Sequence, residues 1–272
     1  MKELQKLNII CPSCNHEFRT YLCSYRPAKI VEAEALAEQA GIAERGESAG
    51  EAKFVGLKKR DRISTEFRRY CDGIKPLHFE MHTCPFCGLT GNIAKFIGST
   101  VPPVGDGLRA FLAEHIFPVV RQDLSWMSFS GERFEFSAMI MEFEGARPQI
   151  IGLQYLKAAW CAKDLFHKKE PHYRMRTAEF FQKALPEDEP NESDESGRAL
   201  LQYMIGEQYR RVGHPEQAAE WYDQAQIMAG ADSLLAALAE QQKSNPQEYL
   251  DEKQRVAVKE VKAAVGLEPL LW

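Results

Sequence analysis

No run of 18 consecutive apolar residues occurs in this 272-residue chain, whereas a membrane-spanning helix needs about 20. The opening Met1-Lys2-Glu3-Leu4-Gln5-Lys6 places charges where a secretory leader would place its apolar stretch, so a soluble cytoplasmic protein without membrane association is expected. Catalytic signatures are also scarce: there is no glycine-rich phosphate loop and no His-Glu-x-x-His pair, and the seven histidines do not gather around a nucleophile in sequence. A non-enzymatic protein is the expectation. Cysteine is sparse and odd in number, at seven residues, which argues against a disulfide framework and fits a reducing compartment.

What the cysteines do form is a repeat. Cys11-Pro12-Ser13-Cys14 and Cys84-Pro85-Phe86-Cys87 are two copies of Cys-Pro-x-Cys, followed by Asn15 and Gly88, residue types that tolerate a left-handed backbone. Such a turn wraps a cation, with backbone amides facing the thiolates. Four thiolates from Cys11, Cys14, Cys84 and Cys87 describe a structural zinc site, less often an iron one, and their closed shell leaves no position for a substrate. The 69 residues between Cys14 and Cys84 are no obstacle. Lengthening a loop from about 15 to about 70 residues costs about 1.4 kcal/mol, against about 10–16 kcal/mol for structural zinc. Cys23, Cys71 and Cys161 read as small buried apolar residues.

The net charge of −5 is unevenly spread: residues 1–98 carry 15 basic and 12 acidic side chains, residues 99–272 carry 19 and 27. The basic excess centres on Lys53 to Arg69, where Lys58, Lys59, Arg60, Arg62, Arg68 and Arg69 are candidate contacts to an anion or nucleic acid. A solvated helix or loop face accounts for the same residues, so this is an alternative reading rather than the leading one.

Two units are expected: residues 1–98, a zinc-ribbon-like module with a helical and basic insert at about 24–75, and residues 99–272, an α-helical domain. Residues 7–10 and 17–22 read as strands flanking the first knuckle, and Leu77 to Thr83 alternates as a strand leading into the second. That alternation puts His78, Glu80 and His82 on one face, a minor candidate for a second metal or proton-handling site. Within the insert, Lys29 to Ala43 has helical spacing, and residues 46–56 are rich in Gly and Glu. Beyond Pro103, helices are expected over 106–122, 131–145, 149–167, 172–185, 195–212, 215–228, 232–243 and 247–265. Helix following helix through short breakers implies hairpins rather than a sheet.

One hairpin carries a repeat signature. Gln202-x2-Ile205-Gly206-x2-Tyr209, then Gly213, Ala218-x3-Tyr222 and Ala225 match the tetratricopeptide pattern, with Gln202 where an aromatic is usual and Gly230 where proline is usual. Tyr155, Ala158, Ala159 and Trp160 form a degenerate first helix of a neighbouring pair, and Ala178, Phe181 and Ala184 its second. A lone hairpin cannot bury its apolar face, so neighbours must stack on it. The fold class expected is mainly α, a β-hairpin metal module followed by a tetratricopeptide-like array.

The paired knuckles, the Ala159-Trp160 helix and the Ile205-Gly206-x2-Tyr209-Arg210-x2-Gly213 segment together resemble the bacterial family known as domain of unknown function 2225. The resemblance implies a zinc ribbon fused to tetratricopeptide-like helices and supplies no reaction. The leading expectation is a zinc-binding scaffold that grips a protein or peptide partner, with Gln202, Tyr203, Tyr209 and Arg210 as candidate contacts. A nucleic-acid binder is the alternative, and a rubredoxin-like iron protein for electron transfer is the third. Oligomeric state is left open.

Overall fold

The computed structural model describes residues 3–24, 62–70, 75–97, 104–120, 130–185, 195–231, 233–251 and 253–255. The expected insert helix at 29–43, the 46–56 stretch, Lys58, Lys59, Arg60 and Cys71 lie outside them.

Strands β1 (Glu3–Ile10) and β2 (Glu17–Ser24) form an antiparallel hairpin in which Ile9 faces Phe18 and Ile10 faces Glu17. Side-chain alternation buries Ile9, Phe18 and Thr20 while Asn8, Ile10 and Arg19 are exposed. Two short pairs follow, β3 (Arg62–Ile63) with β4 (Arg69–Tyr70), and β5 (His82–Thr83) with β6 (Thr90–Gly91). The expected strand over 77–83 is largely absent: Pro76–Phe79 is a 3₁₀ turn. Pro76 stands at its start, where its fixed φ favours a helical turn and no amide hydrogen bond is lost.

The helices are α1 (Asp106–Phe111), α2 (Ser130–Phe143), α3 (Pro148–Asp164), α4 (Glu170–Ala184), α5 (Glu195–Arg211), α6 (Pro215–Ala229) and α7 (Leu234–Ser244). Proline opens α3 and α6, and Ser233 caps α7 by accepting from the Ala236 amide at 3.1 Å. From α2 to α7 each helix packs chiefly on its sequence neighbours.

Two expected helices differ. The first stops at Phe111 and continues as a π turn over Leu112–Ile116 and a 3₁₀ turn over Phe117–Val119. Pro118 supplies the reason, since its ring collides with the carbonyl four residues back in a regular helix. At the other end, residues 248–250 are extended: Ser64 bridges Tyr249, the Leu250 amide donates to Ile63 O at 2.9 Å, and the Thr65 amide donates to Glu248 O at 3.2 Å. The edge at 63–65 satisfies their backbone groups in place of helical hydrogen bonds.

Packing also crosses the expected boundary at residue 98. Helix α2 buries Phe134 and Ala138 against α3 and α4, and Phe136 and Ile140 against Ile9, Cys11 and Leu89. Phe67, from the end of the insert, joins Trp160, Tyr203 and Tyr222 in the core of the helical array.

Close helix approach depends on Gly206 of α5. A Cβ there would lie 2.7 Å from Tyr222 Cε1 and 3.2 Å from Ala218 O. Tyr222 is fully buried and its hydroxyl donates to Glu207 at 2.7 Å, so the ring cannot swing away. Gly206→Ala gains about 1 kcal/mol of helix propensity and loses about 1–3 kcal/mol to overpacking. A lower urea midpoint is expected.

Candidate metal centre

Each knuckle is a tight turn closed by the same two backbone bonds. In the first, the Asn15 amide donates to Cys11 O at 2.9 Å and the Cys11 amide to His16 O at 3.0 Å. In the second, the Gly88 amide donates to Cys84 O at 2.9 Å and the Cys84 amide to Leu89 O at 2.8 Å. Both turns need a left-handed residue, Asn15 at φ 58° and Gly88 at φ 80°. Asparagine tolerates that region through its short polar side chain. Gly88 is doubly constrained, because a Cβ would also sit 2.9 Å from Ile116 Cγ2.

The turns bring four sulfurs together. Cys11 Sγ lies 3.6 Å from Cys87 Sγ, Cys14 Sγ lies 3.6 Å from Cys84 Sγ, and all four are within 4.8 Å of one another. These separations are too long for disulfides, whose S–S bond is about 2.05 Å. A tetrahedron with metal–sulfur bonds of about 2.3 Å has edges of about 3.8 Å, so the cluster fits a metal ion held by four thiolates. Ile9, Phe18, Leu89, Leu112 and Ile116 pack around it, and His16 stacks on Phe86 at 4.6 Å.

Charge explains why a cation belongs there. Contact with Cys84 draws the Cys11 thiol down, but Cys87 and burial outweigh it and push its pKa up to about 12. Contacts with Cys11 and Cys87, reinforced by burial, push the Cys84 thiol up as well, while contacts with Cys11 and Cys84 draw the Cys87 thiol down, so the cluster does not hold four thiolates by itself. Four anionic sulfurs cannot gather at this distance in a buried site unless a cation offsets their repulsion.

His78, Glu80 and His82 separate rather than form a second site. His82 Nδ1 meets Thr20 Oγ1 at 2.8 Å, tying β5 to β2, while Glu80 pairs with Lys157 of α3. His78 bridges Ser130 Oγ at 2.6 Å and Asp164 Oδ2 at 3.1 Å. That trio has the members of a nucleophile relay. However, Ser130 is 1% exposed, and Asp164 is also held by Arg68 at 2.5 Å and Lys75 at 3.0 Å. The histidine acts as a strut between the 3₁₀ turn at Pro76–Phe79, α2 and α3. One Gly-x-Ser-x-Gly pattern, Gly46-Glu47-Ser48-Ala49-Gly50, exists in the sequence; its residues lie outside those described, and such a motif has meaning only at a strand-to-helix turn.

The basic candidates divide. Arg62 is exposed, its guanidinium 5.4 Å from the centre of the Tyr249 ring. Arg68 is buried, donating to Asp164 and, at 2.9 Å, to Trp160 O. It is committed inside the protein and is not a surface phosphate contact. Arg69 contributes backbone to β4.

Among the candidate partner contacts, Tyr203 is completely buried and donates to Thr65 O at 3.1 Å. Gln202 is 8% exposed, so these two belong to the interior. Tyr209 is half-buried and accepts from Gln182 at 3.0 Å, and Arg210 pairs with Glu207 at 3.0 Å.

Sequence reasoning passed over a buried polar cluster. Glu66 and Glu207 have fully buried side chains, as does Arg174. Burial raises the Glu66 carboxyl, but Arg174 and Arg211 beside it hold it well below the usual carboxylate range. Glu207 accepts from Tyr222, Thr65, Arg210 and Arg211 at 2.7 to 3.1 Å, and Arg211 and Arg210 overcome its burial to lower its pKa. The signal was present: Arg174 lies four and seven residues before Ala178 and Phe181 on one helix face.

A mainly helical protein with an N-terminal strand hairpin and a four-cysteine cluster able to hold a metal ion is the class these features define. The chain belongs to the DUF2225 family, described as uncharacterised proteins conserved in bacteria, whose sequence model matches residues 4–246. Comparison with curated proteins and with solved structures finds no match. Among the described residues, no helix is long and apolar enough to cross a membrane.

Proposed function

We propose that this protein is a zinc-binding, non-enzymatic adaptor. A zinc-ribbon-like module holds the N-terminal strands, and a tetratricopeptide-like row of helices takes a protein or peptide partner. The observation that carries the metal half is the spacing of the four sulfurs, 3.6 Å for two pairs and within 4.8 Å for all, because a closed four-thiolate shell serves structure rather than turnover. Support for the other half is the succession of helices α2 to α7, each packed on its neighbour, the arrangement from which repeat proteins build binding surfaces.

Nucleic-acid binding is the second reading, and exposed Arg62 is the observation that keeps it. The two are separated by capture on immobilised full-length protein from nuclease-treated bacterial lysate. The adaptor retains a discrete protein under nuclease and at raised salt. Loss of all captured material after nuclease, or a steep fall with salt, contradicts it. Elemental analysis of the same preparation should give one zinc per chain. A coloured, redox-active iron protein would support the electron-transfer reading instead.

A further inference from the structure

The five residues Ser64 to Arg68 are held by the helices much as a receptor holds a peptide. They form the turn between β3 and β4, closed by the Ser64 amide on Arg68 O and the Phe67 amide on Ser64 O, both at 2.8 Å; Ser64 and Thr65 also pair with Tyr249 and Glu248, and Phe67, at φ 61°, turns its ring toward Tyr203 at 5.7 Å. Glu66 Oε1 accepts from Arg174 at 2.6 Å and Gln208 at 3.0 Å, and Oε2 accepts from Trp160 Nε1 at 3.2 Å and lies 3.2 Å from Arg211 Nε. The Thr65 hydroxyl donates to Glu207 at 2.7 Å and accepts from Arg211 at 2.9 Å. Arg68 closes the far end on Asp164.

Four of these five side chains are polar or charged, and nearly all their partners belong to α3, α4 and α5. Without the segment, Arg174, Arg211, Gln208 and Trp160 Nε1 would still converge on one point, a ready acceptor for a carboxylate. Arg174 Nη2, buried, has no hydrogen-bond partner among the described residues, so the donor set exceeds what Glu66 alone uses.

We propose that α3, α4 and α5 form a peptide-recognition groove occupied in cis by residues 64–68. The partner it takes is a peptide that presents a hydroxyl residue, a carboxylate and an aromatic in succession on a tight turn, followed by a basic residue. Partner binding displaces the chain's own segment. This rests on the adaptor reading for the identity of the docking domain and adds the chemistry of the ligand and the fact of internal competition.

The probe is a fluorescently labelled synthetic peptide covering residues 61–70, titrated against full-length wild type and full-length Glu66→Ala/Phe67→Ala, with helical content followed by circular dichroism. The double variant is expected to keep its helices and to bind the peptide at least about tenfold more tightly, because the groove is no longer occupied. A peptide carrying Glu66→Ala should not bind. Equal affinity for both proteins, absence of binding to both, or loss of helical signal in the variant overturns the proposal; the last would make the segment an integral core element. Capture of a protein that excess peptide does not displace leaves the adaptor reading standing and overturns this groove. Peptide binding in trans with no captured protein does the reverse.

Discussion

Cys84→Ser is expected to yield protein that holds no metal ion and whose N-terminal strands are accessible to protease, while α3 to α7 keep their helical signal. Cys84 is completely buried, and its sulfur lies 3.6 Å from Cys14 across the two knuckles. Serine in its place is a poor ligand for a soft site and leaves three thiolates without a closed shell. Structural zinc supplies on the order of 10–16 kcal/mol in small modules, more than the net stability of a typical domain, so the hairpin and the second knuckle should come apart together. The loss extends beyond the ligands, because the turn that carries Cys84 also presents Gly88 to Ile116 and Leu89 to the surrounding core. Cys161→Ser is the comparison: Cys161 is buried beside α2 and α4, outside the cluster, and that variant should keep its metal. Metal-to-protein ratio and limited proteolysis read both.

Glu207→Ala should be the most damaging single change in the helical array. The carboxylate is fully buried and serves Tyr222, Thr65, Arg210 and Arg211 at once. Removing it strands the Tyr222 hydroxyl in the core and leaves buried cationic charge poorly compensated, at a cost of about 3–5 kcal/mol. For a chain of this size that is a melting shift on the order of 10 °C. Glu207→Gln, which keeps the hydrogen-bonding shape and loses the charge, should fall between.

The same cluster sets the acid limb of stability. Arg174 and Arg211 overcome the burial of Glu66, and Arg211 and Arg210 that of Glu207, so both folded carboxyls titrate below their unfolded value of about 4.3. The unfolded chain therefore binds protons first as pH falls. The stabilisation is complete above about pH 5 and is lost as pH drops through the depressed folded values. The acid limb should be shallower in Glu207→Ala.

What the sequence made legible was local. Each knuckle is a turn of six residues whose proline, cysteines and left-handed residue are contiguous, so the metal cluster could be read without knowing the fold. Helices α3 to α6 likewise end within about three residues of their expected limits, where Pro148, Pro215 and Gly213 punctuate the chain. What stayed hidden depends on contacts far apart in sequence. The run of charges at 62–69 resembled a solvated basic face because its partners, Asp164, Arg174 and Glu207, come from helices about a hundred residues away. Residues 247–250 carried helical composition, yet pairing with Ser64 draws them out as an edge. Alternation over 77–83 was real, but Pro76 turned it into a 3₁₀ segment that sends His78 and His82 to different partners.

Cys11, Cys14, Cys84 and Cys87 should together hold one ion and so tie the two knuckles into a single unit. X-ray absorption at the metal edge on the purified full-length protein reads that shell. A zinc edge with four sulfur neighbours at about 2.3 Å and no nitrogen or oxygen in the inner shell is the predicted result. A shell with fewer than four sulfurs, or protein that holds no stoichiometric metal at all, would contradict it.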